Sequence, residues 1–223
     1  MPNEIDKSGR YNVHLISPKL DSIVHNSKIL DAVESIIGKN ILVCSTTLFI
    51  KNPNEQGFVS YHQDAKYIGL EPHNWVTAWV ALTDSNENNG CMKMWPKSHL
   101  NIKDHNEKFN EGNLLTRGQT VENVPEDKVK TIELKAGQMS LHHPRIVHGS
   151  GINKSDDRRI GFVIQSYIST NVKQTLGKNS VQVARGEDKF QYHEVIHRTN
   201  ALMSEESILP VSYTHLTLPT KRN

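Results

Sequence analysis

A change of hydrophobic period near residue 41 constrains the fold of this chain most. Before that point, residues 27–38 carry apolar side chains at positions 29, 30, 33, 36 and 37, the spacing of one buried helical face. Asn26 or Ser27 can cap this helix and Gly38 can end it. From Ile41 onward the helical period gives way to runs of β-forming residues.

Five later segments have the composition of strands, and they lie at 41–50, 75–82, 130–135, 139–148 and 159–167. The first is long enough for one or two strands, and Pro144 interrupts the fourth. One helix followed by five to eight strands is therefore expected. Because strands and helices do not alternate, an antiparallel barrel or a double-sheet jelly roll is favoured over a parallel sheet. The polar stretch 99–129 is expected to be a functional lid or a disordered insertion.

Composition excludes several classes of partner. The 223 residues are 36% apolar and 22% charged, which is typical of a soluble globular protein. A formal net charge of +2 is too small to predict binding to nucleic acid or to a membrane surface. No segment has the apolar length of a signal peptide core or a membrane span. With Cys44 and Cys91 as free thiols, a cytoplasmic location is predicted.

The segment Tyr61–Asp64 carries the pattern with clear chemical meaning. In an extended chain, residues two apart point to the same side, so His62 and Asp64 can converge while Gln63 faces away. One imidazole and one carboxylate make half of a metal site. The candidates for a third ligand are His142, His143 and His148.

His148 is the preferred third ligand, because it ends one predicted strand eleven residues before Arg159 begins the next. A hairpin with a two- or four-residue loop would place these two residues opposite each other, with Ser150 on the same face. A three-residue loop would present Arg158 instead of Arg159. The sequence leaves the register open.

Two histidines and one carboxylate leave three metal positions open, as in non-haem Fe(II) oxygenases. Two of these positions can chelate a 2-oxo acid and the third can take O₂. Arg159 could then bind the far carboxylate of 2-oxoglutarate, with Ser150 as a second hydrogen-bond donor. A zinc hydrolase could use the same three ligands, but the expected Arg159 and Ser150 pocket favours the oxo acid.

These motifs resemble the phytanoyl-CoA dioxygenase family of Fe(II)/2-oxoglutarate-dependent oxygenases. The matching segments follow in order at 47–53, 61–64, 76–82, 88–91, 96–99 and 148–159. The resemblance implies a mainly β fold, a double-stranded β-helix or jelly roll with flanking helices and a core at about 40–170. It implies that the iron ligands and catalytic residues are His62, Asp64 and His148, and that the cosubstrate-binding residues are Arg159, Ser150, Trp79 and Lys51. Core packing is the alternative for Trp79, and a solvated strand end is the alternative for Lys51.

The implied activity is that of a dioxygenase that hydroxylates an unactivated C–H bond of a small-molecule substrate and releases succinate and CO₂. The implied cofactors are Fe(II), 2-oxoglutarate as cosubstrate and O₂, with ascorbate as an activator. The alternative of another class is an inactive jelly roll that binds a ligand or serves as a scaffold. A halogenase of the same family is disfavoured, because Asp64 fills the position that a halide would need. The substrate and the oligomeric state stay open.

One domain is expected over residues 1–209. Residues 210–223 resemble the translation of a transposase adapter from sequencing libraries, so a non-native tail is expected there. The family carries some tens of residues before the helix at 27–37. Two alternatives would explain this difference: Met1 is an internal start, or the chain is truncated.

Overall fold

The computed structural model describes residues 10–107, 111–115 and 118–198. These residues divide into two compact units. The first comprises the described chain up to Leu48, Gly69–Ala78 and the described chain from Val163, and the second comprises Phe49–Ile68 and Trp79–Phe162. The tail predicted at 210–223 lies outside the described residues, and a single domain over 1–209 stays a prediction.

Three α-helices lie in the described chain: α1 (Pro18–Val24), α2 (Ser27–Ile37) and α3 (Ala65–Ile68). Helix α2 confirms the periodic pattern, since its buried residues are Ile29, Leu30, Val33 and Ile37. The Asn26 side chain accepts a hydrogen bond from the Lys28 N–H (3.0 Å), and Gly38 ends the helix at φ 89°. Ile36, which the pattern assigned to the same face, is exposed. Among the described residues, no helix has the length and apolar character that crossing a bilayer requires.

Fifteen strands, several of them very short, make up most of the remaining regular structure of the described residues. They are β1 (Ile41–Val43), β2 (Thr46–Lys51), β3 (Val59–His62), β4 (Leu70–Glu71), β5 (Trp75–Ala81), β6 (Met92–Trp95), β7 (Asn106–Glu107), β8 (Gln119–Thr120), β9 (Lys130–Ile132), β10 (Met139–His142), β11 (Val147–Ser150), β12 (Arg159–Ser169), β13 (Lys173–Gln174), β14 (Ser180–Arg185) and β15 (Glu194–Val195). The count exceeds the expected five to eight because several strands are only two residues long. Strands of that length carry no readable alternation.

Two larger sheets organise these strands. One has the order β10-β5-β12-β1-β14-β15, with β2 also paired to β12, and the other has the order β3-β11-β6-β9. The pairings of the second sheet are antiparallel. A mainly β chain with flanking helices is thus confirmed. In the stretch expected to be a lid or an insertion, β7 pairs with β8.

The hairpin predicted between His148 and Arg159 is wrong. Strand β11 pairs with β3 and β6, whereas β12 belongs to the other sheet. The connection 151–158 therefore crosses between sheets instead of forming a tight turn. Its geometry is set by tertiary hydrogen bonds, which a turn-length argument does not contain.

Asn153 holds this connection in place. Its fully buried side-chain amide donates to the backbone carbonyls of Lys51 (3.1 Å), Asn52 (3.0 Å) and Asp157 (2.8 Å). Its carbonyl oxygen accepts from the N–H of Ser155 (2.9 Å). Asn153 therefore ties the loop that follows β11 to the end of β2.

Replacing Asn153 by alanine should lower the free energy of unfolding by about 2–3 kcal/mol, because the carbonyls of Lys51, Asn52 and Asp157 lose the buried amide that they share as a donor. Chemical denaturation measures this difference. Lys154→Ala, at an exposed position of the same loop, is the matched control and should change stability little. Equal effects of the two substitutions would show that the amide does not hold the loop.

Candidate metal centre

Two neighbouring strands and the turn after one of them bring His62, Asp64 and His148 together. His62 on β3 is the register partner of His148 on β11, and their ring centroids lie 4.2 Å apart. The Oδ1 atom of Asp64 lies 3.4 Å from Nε2 of His62 and 4.0 Å from Nε2 of His148. All three residues are buried, and their ligand atoms lie within 4.8 Å of one another.

Backbone carbonyls fix which nitrogen of each ring faces this cluster. Nδ1 of His62 lies 2.8 Å from the Ser60 carbonyl, and Nδ1 of His148 lies 3.0 Å from the Ile146 carbonyl. A carbonyl oxygen can only accept, so both Nδ1 atoms must donate and each neutral ring keeps its Nε2 lone pair. Both lone pairs are therefore available to a shared cation, as in metal sites whose histidines are oriented by an outer hydrogen bond.

The electrostatics of the cluster fit a divalent cation. Burial alone would raise the pKa of Asp64, but the adjacent imidazoles of His148 and His62 hold it below its usual range. Burial and the neighbouring His62 lower the pKa of His148 to about 3, so its ring is neutral near pH 7. A carboxylate and two neutral imidazoles are the protonation states that metal binding requires. Two imidazole nitrogens and one carboxylate oxygen are a donor set that suits Fe(II) and would leave positions for other ligands.

Gln63, between His62 and Asp64 in the sequence, faces away from the cluster as predicted and anchors the chain behind it. The side chain is fully buried, and its amide nitrogen donates to the carbonyls of Asn101 (3.0 Å) and Arg145. Its Oε1 accepts from the Lys103 N–H (2.7 Å). One amide thus joins three chain segments next to His62 and Asp64.

His105 supports the same anchor. Its Nδ1 donates to the Lys103 carbonyl (2.8 Å), so its Nε2 can accept from the Gln63 N–H (3.0 Å). The ring also packs edge-on against Tyr67, with centroids 5.3 Å apart. His105 is therefore a half-buried residue that bonds through both ring nitrogens.

Two buried cations lie side by side in the same unit as the cluster. Lys51 is fully buried, and its Nζ donates to Ser150 Oγ (2.8 Å) and to the Gly151 carbonyl. Arg159 is 2% exposed, and its Nη2 donates to the Gly90 carbonyl (3.0 Å). Gly90 O also lies 3.5 Å from Lys51 Nζ. The predicted residues Arg159, Ser150 and Lys51 therefore meet, although no hairpin brings them together.

Neither Lys51 nor Arg159 forms an ion pair with a carboxylate among the described residues, although Glu55 is near enough to act on the charge of Lys51. Burial and the adjacent Arg159 lower the pKa of Lys51 to about 7, and burial lowers the pKa of Arg159 to about 10. The buried Nε of Arg159 has no hydrogen-bond partner among the described residues. Buried charge without a partner is costly, so this arrangement is suited to an anionic ligand.

Trp79 packs against the guanidinium group of Arg159, whose Cζ lies 5.4 Å from the ring centroid. A side chain at Gly161 would overlap this indole ring, so the glycine leaves the space that Trp79 fills. Trp79 is 6% exposed. It therefore combines core packing with positioning of Arg159.

His142, one of the three candidates for the third ligand, also lies beside the cluster. It is buried, its ring centroid lies 4.9 Å from that of His148, and burial lowers its pKa to about 4. Neither ring nitrogen has a hydrogen-bond partner among the described residues. The neighbouring His143 is exposed, and its Nδ1 accepts from the Arg145 N–H (3.1 Å). Alternation along the strand could have predicted that one of these two histidines is buried and the other exposed. It could not have predicted that both ring nitrogens of His142 lack partners among the described residues.

Comparison with known proteins gives a family match. The family model of phytanoyl-CoA dioxygenase matches residues 3–161. A probable alpha-ketoglutarate-dependent hypophosphite dioxygenase of Stutzerimonas stutzeri is 29% identical over 169 residues, which are 74% of this chain and 58% of that protein. The chain thus spans under two thirds of the length of the curated relatives that it matches.

Solved structures give the same result for the fold. The non-heme monooxygenase ThoJ in its apo form is 31% identical, with a TM-score of 0.84 over 95% of this chain and 78% of that one. CytC3 with Fe(II) and alpha-ketoglutarate is 22% identical, with a TM-score of 0.62 over 86% of this chain and 74% of that one. The expected jelly-roll fold is confirmed by these likenesses.

Replacing Gln63 by leucine should lower the free energy of unfolding by about 2–4 kcal/mol, because the backbone groups of Asn101, Lys103 and Arg145 lose their side-chain partner. Urea denaturation provides the measurement. Gln138→Leu, at an exposed glutamine that accepts only from the Lys135 N–H, is the matched control. A loss no larger than that of the control would contradict the anchoring role of Gln63.

Proposed function

Because the chain belongs to the phytanoyl-CoA dioxygenase family, we propose that it is an Fe(II)- and 2-oxoglutarate-dependent dioxygenase. The proposed reaction hydroxylates an unactivated C–H bond of a small-molecule substrate and releases succinate and CO₂. The observation that carries the proposal is the presence, in one unit, of the His62, Asp64 and His148 cluster and the buried Lys51 and Arg159 pair.

His62, Asp64 and His148 are the residues that would hold the metal. When bound, Fe(II) supplies the centre at which O₂ is activated as 2-oxoglutarate is decarboxylated. The Ser60 and Ile146 carbonyls keep both imidazoles turned toward Asp64 through their Nδ1 protons. The burial of all three ligands keeps bulk water away from the reacting groups.

Arg159 and Lys51 supply the positive charge for the distal carboxylate of 2-oxoglutarate. The unpartnered Nε–H of Arg159 is a donor that such a carboxylate would satisfy. Ser150 accepts from Lys51 through Oγ, so its own hydrogen can be donated to the same carboxylate. The roles of Trp79 and Gly161 are to hold the guanidinium group in place and to leave room for the indole.

The substrate is proposed only as a small molecule. Hypophosphite and phytanoyl-CoA appear in the names of relatives and belong to those proteins. A cytoplasmic location stays a prediction that rests on the free cysteines.

The decisive test is anaerobic Fe(II) and 2-oxoglutarate binding, followed by measurement of succinate after O₂ and ascorbate are added. We expect the wild type to form succinate only with Fe(II), and His148→Ala to lose metal binding. Arg159→Met should keep the metal but weaken 2-oxoglutarate binding by at least about 30-fold. His143→Ala and Arg158→Met, at the neighbouring histidine and arginine, are the matched controls and should resemble the wild type.

Other outcomes would point to the other functions. A wild-type protein with neither metal affinity nor iron-dependent succinate formation would favour the ligand-binding or scaffold alternative. Tight zinc binding without affinity for 2-oxoglutarate would favour the hydrolase. Equal losses of 2-oxoglutarate affinity in Arg158→Met and Arg159→Met would contradict the role assigned to Arg159.

The affinity for 2-oxoglutarate should also fall as the pH rises above neutrality. Because the pKa of Lys51 is lowered to about 7, its ammonium group is present below that pH and is lost above it. We expect the dissociation constant to rise by up to about tenfold between pH 6 and pH 9 in the Fe(II)-loaded wild type. Lys51→Met should bind weakly at both pH values, so its profile should be flat.

Lys154→Met, at an exposed position, is the control for loss of one lysine from this part of the chain. It should keep the pH profile of the wild type. A Lys51→Met variant with an unchanged pH profile would show that Lys51 does not contribute its charge to binding.

A further inference from the structure

His142 is a buried histidine that lies beside the candidate metal centre. It ends β10, a strand of the seven-stranded sheet, whereas His62 and His148 belong to the four-stranded sheet. The residue is 5% exposed, and both of its ring nitrogens are buried without a partner among the described residues. A buried polar group without a partner costs roughly 1–3 kcal/mol, so an uncompensated imidazole is a poor choice for packing.

Ser140 has the same property. It lies two residues before His142, on the same face of β10, and its Oγ is buried without a hydrogen-bond partner among the described residues. Two successive positions on one face of the strand thus offer polar groups that the described protein leaves unsatisfied. Both can be satisfied by an oxygen-rich ligand.

His142 does not belong to the metal-ligating set as placed. The group of donor atoms within 4.8 Å of one another contains His62, Asp64 and His148 and leaves out the nitrogens of His142. Its ring is nevertheless 4.9 Å, between centroids, from the ring of His148. That position is next to the ligands, where the other groups bound to a metal would lie.

The strand order indicates which ligand this is. The adjacent strands β10, β5 and β12 carry His142, Trp79 and Arg159 in turn. The Ala81 N–H donates to the Gln138 carbonyl (2.9 Å) and the Leu82 N–H donates to the Ile160 carbonyl (3.0 Å), so β10 and β12 both begin beside the same end of β5. Arg159 lies at that end, and His142, at the far end of β10, lies further along the sheet. One end of 2-oxoglutarate would meet Arg159, and the other would meet His142.

We propose that His142, with Ser140 beside it, hydrogen-bonds the metal-chelating carboxylate of 2-oxoglutarate, at the opposite end of the molecule from Arg159 and Lys51. This inference rests on the proposed function. The neutral imidazole donates one N–H to the carboxylate, and the Ser140 hydroxyl adds a second donor. His142 is thus a cosubstrate-binding residue and not a fourth metal ligand.

The test compares two 2-oxo acids on the anaerobic Fe(II)-loaded protein, with the charge-transfer absorption of the chelate as the binding signal. Pyruvate keeps the chelating end of 2-oxoglutarate but lacks the distal carboxylate. We expect His142→Phe to raise the dissociation constants of both acids by about tenfold and to leave Fe(II) affinity within twofold. Arg159→Met should weaken the binding of 2-oxoglutarate and leave the binding of pyruvate unchanged. His142→Gln, which keeps an N–H donor, should stay within about threefold of the wild type for both acids.

His143→Phe is the matched control for removal of a histidine from this segment, and circular dichroism of each variant checks that it is folded. Unchanged dissociation constants in a folded His142→Phe variant would overturn the inference. So would a loss of Fe(II) affinity, which would make His142 a ligand, or a loss confined to 2-oxoglutarate, which would place His142 at the distal end. Failure of the wild type to bind Fe(II) would instead refute the proposed function itself.

Discussion

The antiparallel pairing of β3 with β11 is the constraint on which the candidate centre depends. It makes His62 and His148 register partners and leaves Asp64 just beyond the end of β3. The carbonyls of Ser60 and Ile146, each two residues before a ligand histidine, then orient both rings. Strand pairing therefore supplies both the distance between the ligands and the tautomer that each must adopt.

The chemistry around the cluster is built from buried polar groups that the protein leaves incompletely satisfied. Lys51 and Arg159 are buried as cations, and Arg159 Nε and both nitrogens of His142 lack partners among the described residues. Elsewhere in the same unit, buried amides such as Gln63 and Asn153 have most of their hydrogen-bonding capacity satisfied. The contrast separates groups that hold the fold from groups that are free to bind a ligand.

Sequence patterns predicted much of this arrangement because they depend on short-range geometry. The spacing of apolar residues located α2, and the His62-x-Asp64 spacing placed two ligands on one side of the chain. The same method failed for the His148 to Arg159 connection, because a choice between turn lengths assumes that the two strands are neighbours. In the structure β11 and β12 lie in different sheets, and the Asn153 amide sets the path between them.

What the sequence determined by itself was the donor set and its likeness to one family, since both rest on residue type and on spacing along the chain. Only the tertiary structure decided that Lys51 is buried beside Arg159 and that Gln63 and His105 anchor the chain behind the ligands. It also decided that the ring nitrogens of His142 have no partner in the described part of the chain. Burial and hydrogen-bond satisfaction depend on which distant segments pack together. No local pattern contains that information, because the partners lie tens of residues away in the sequence.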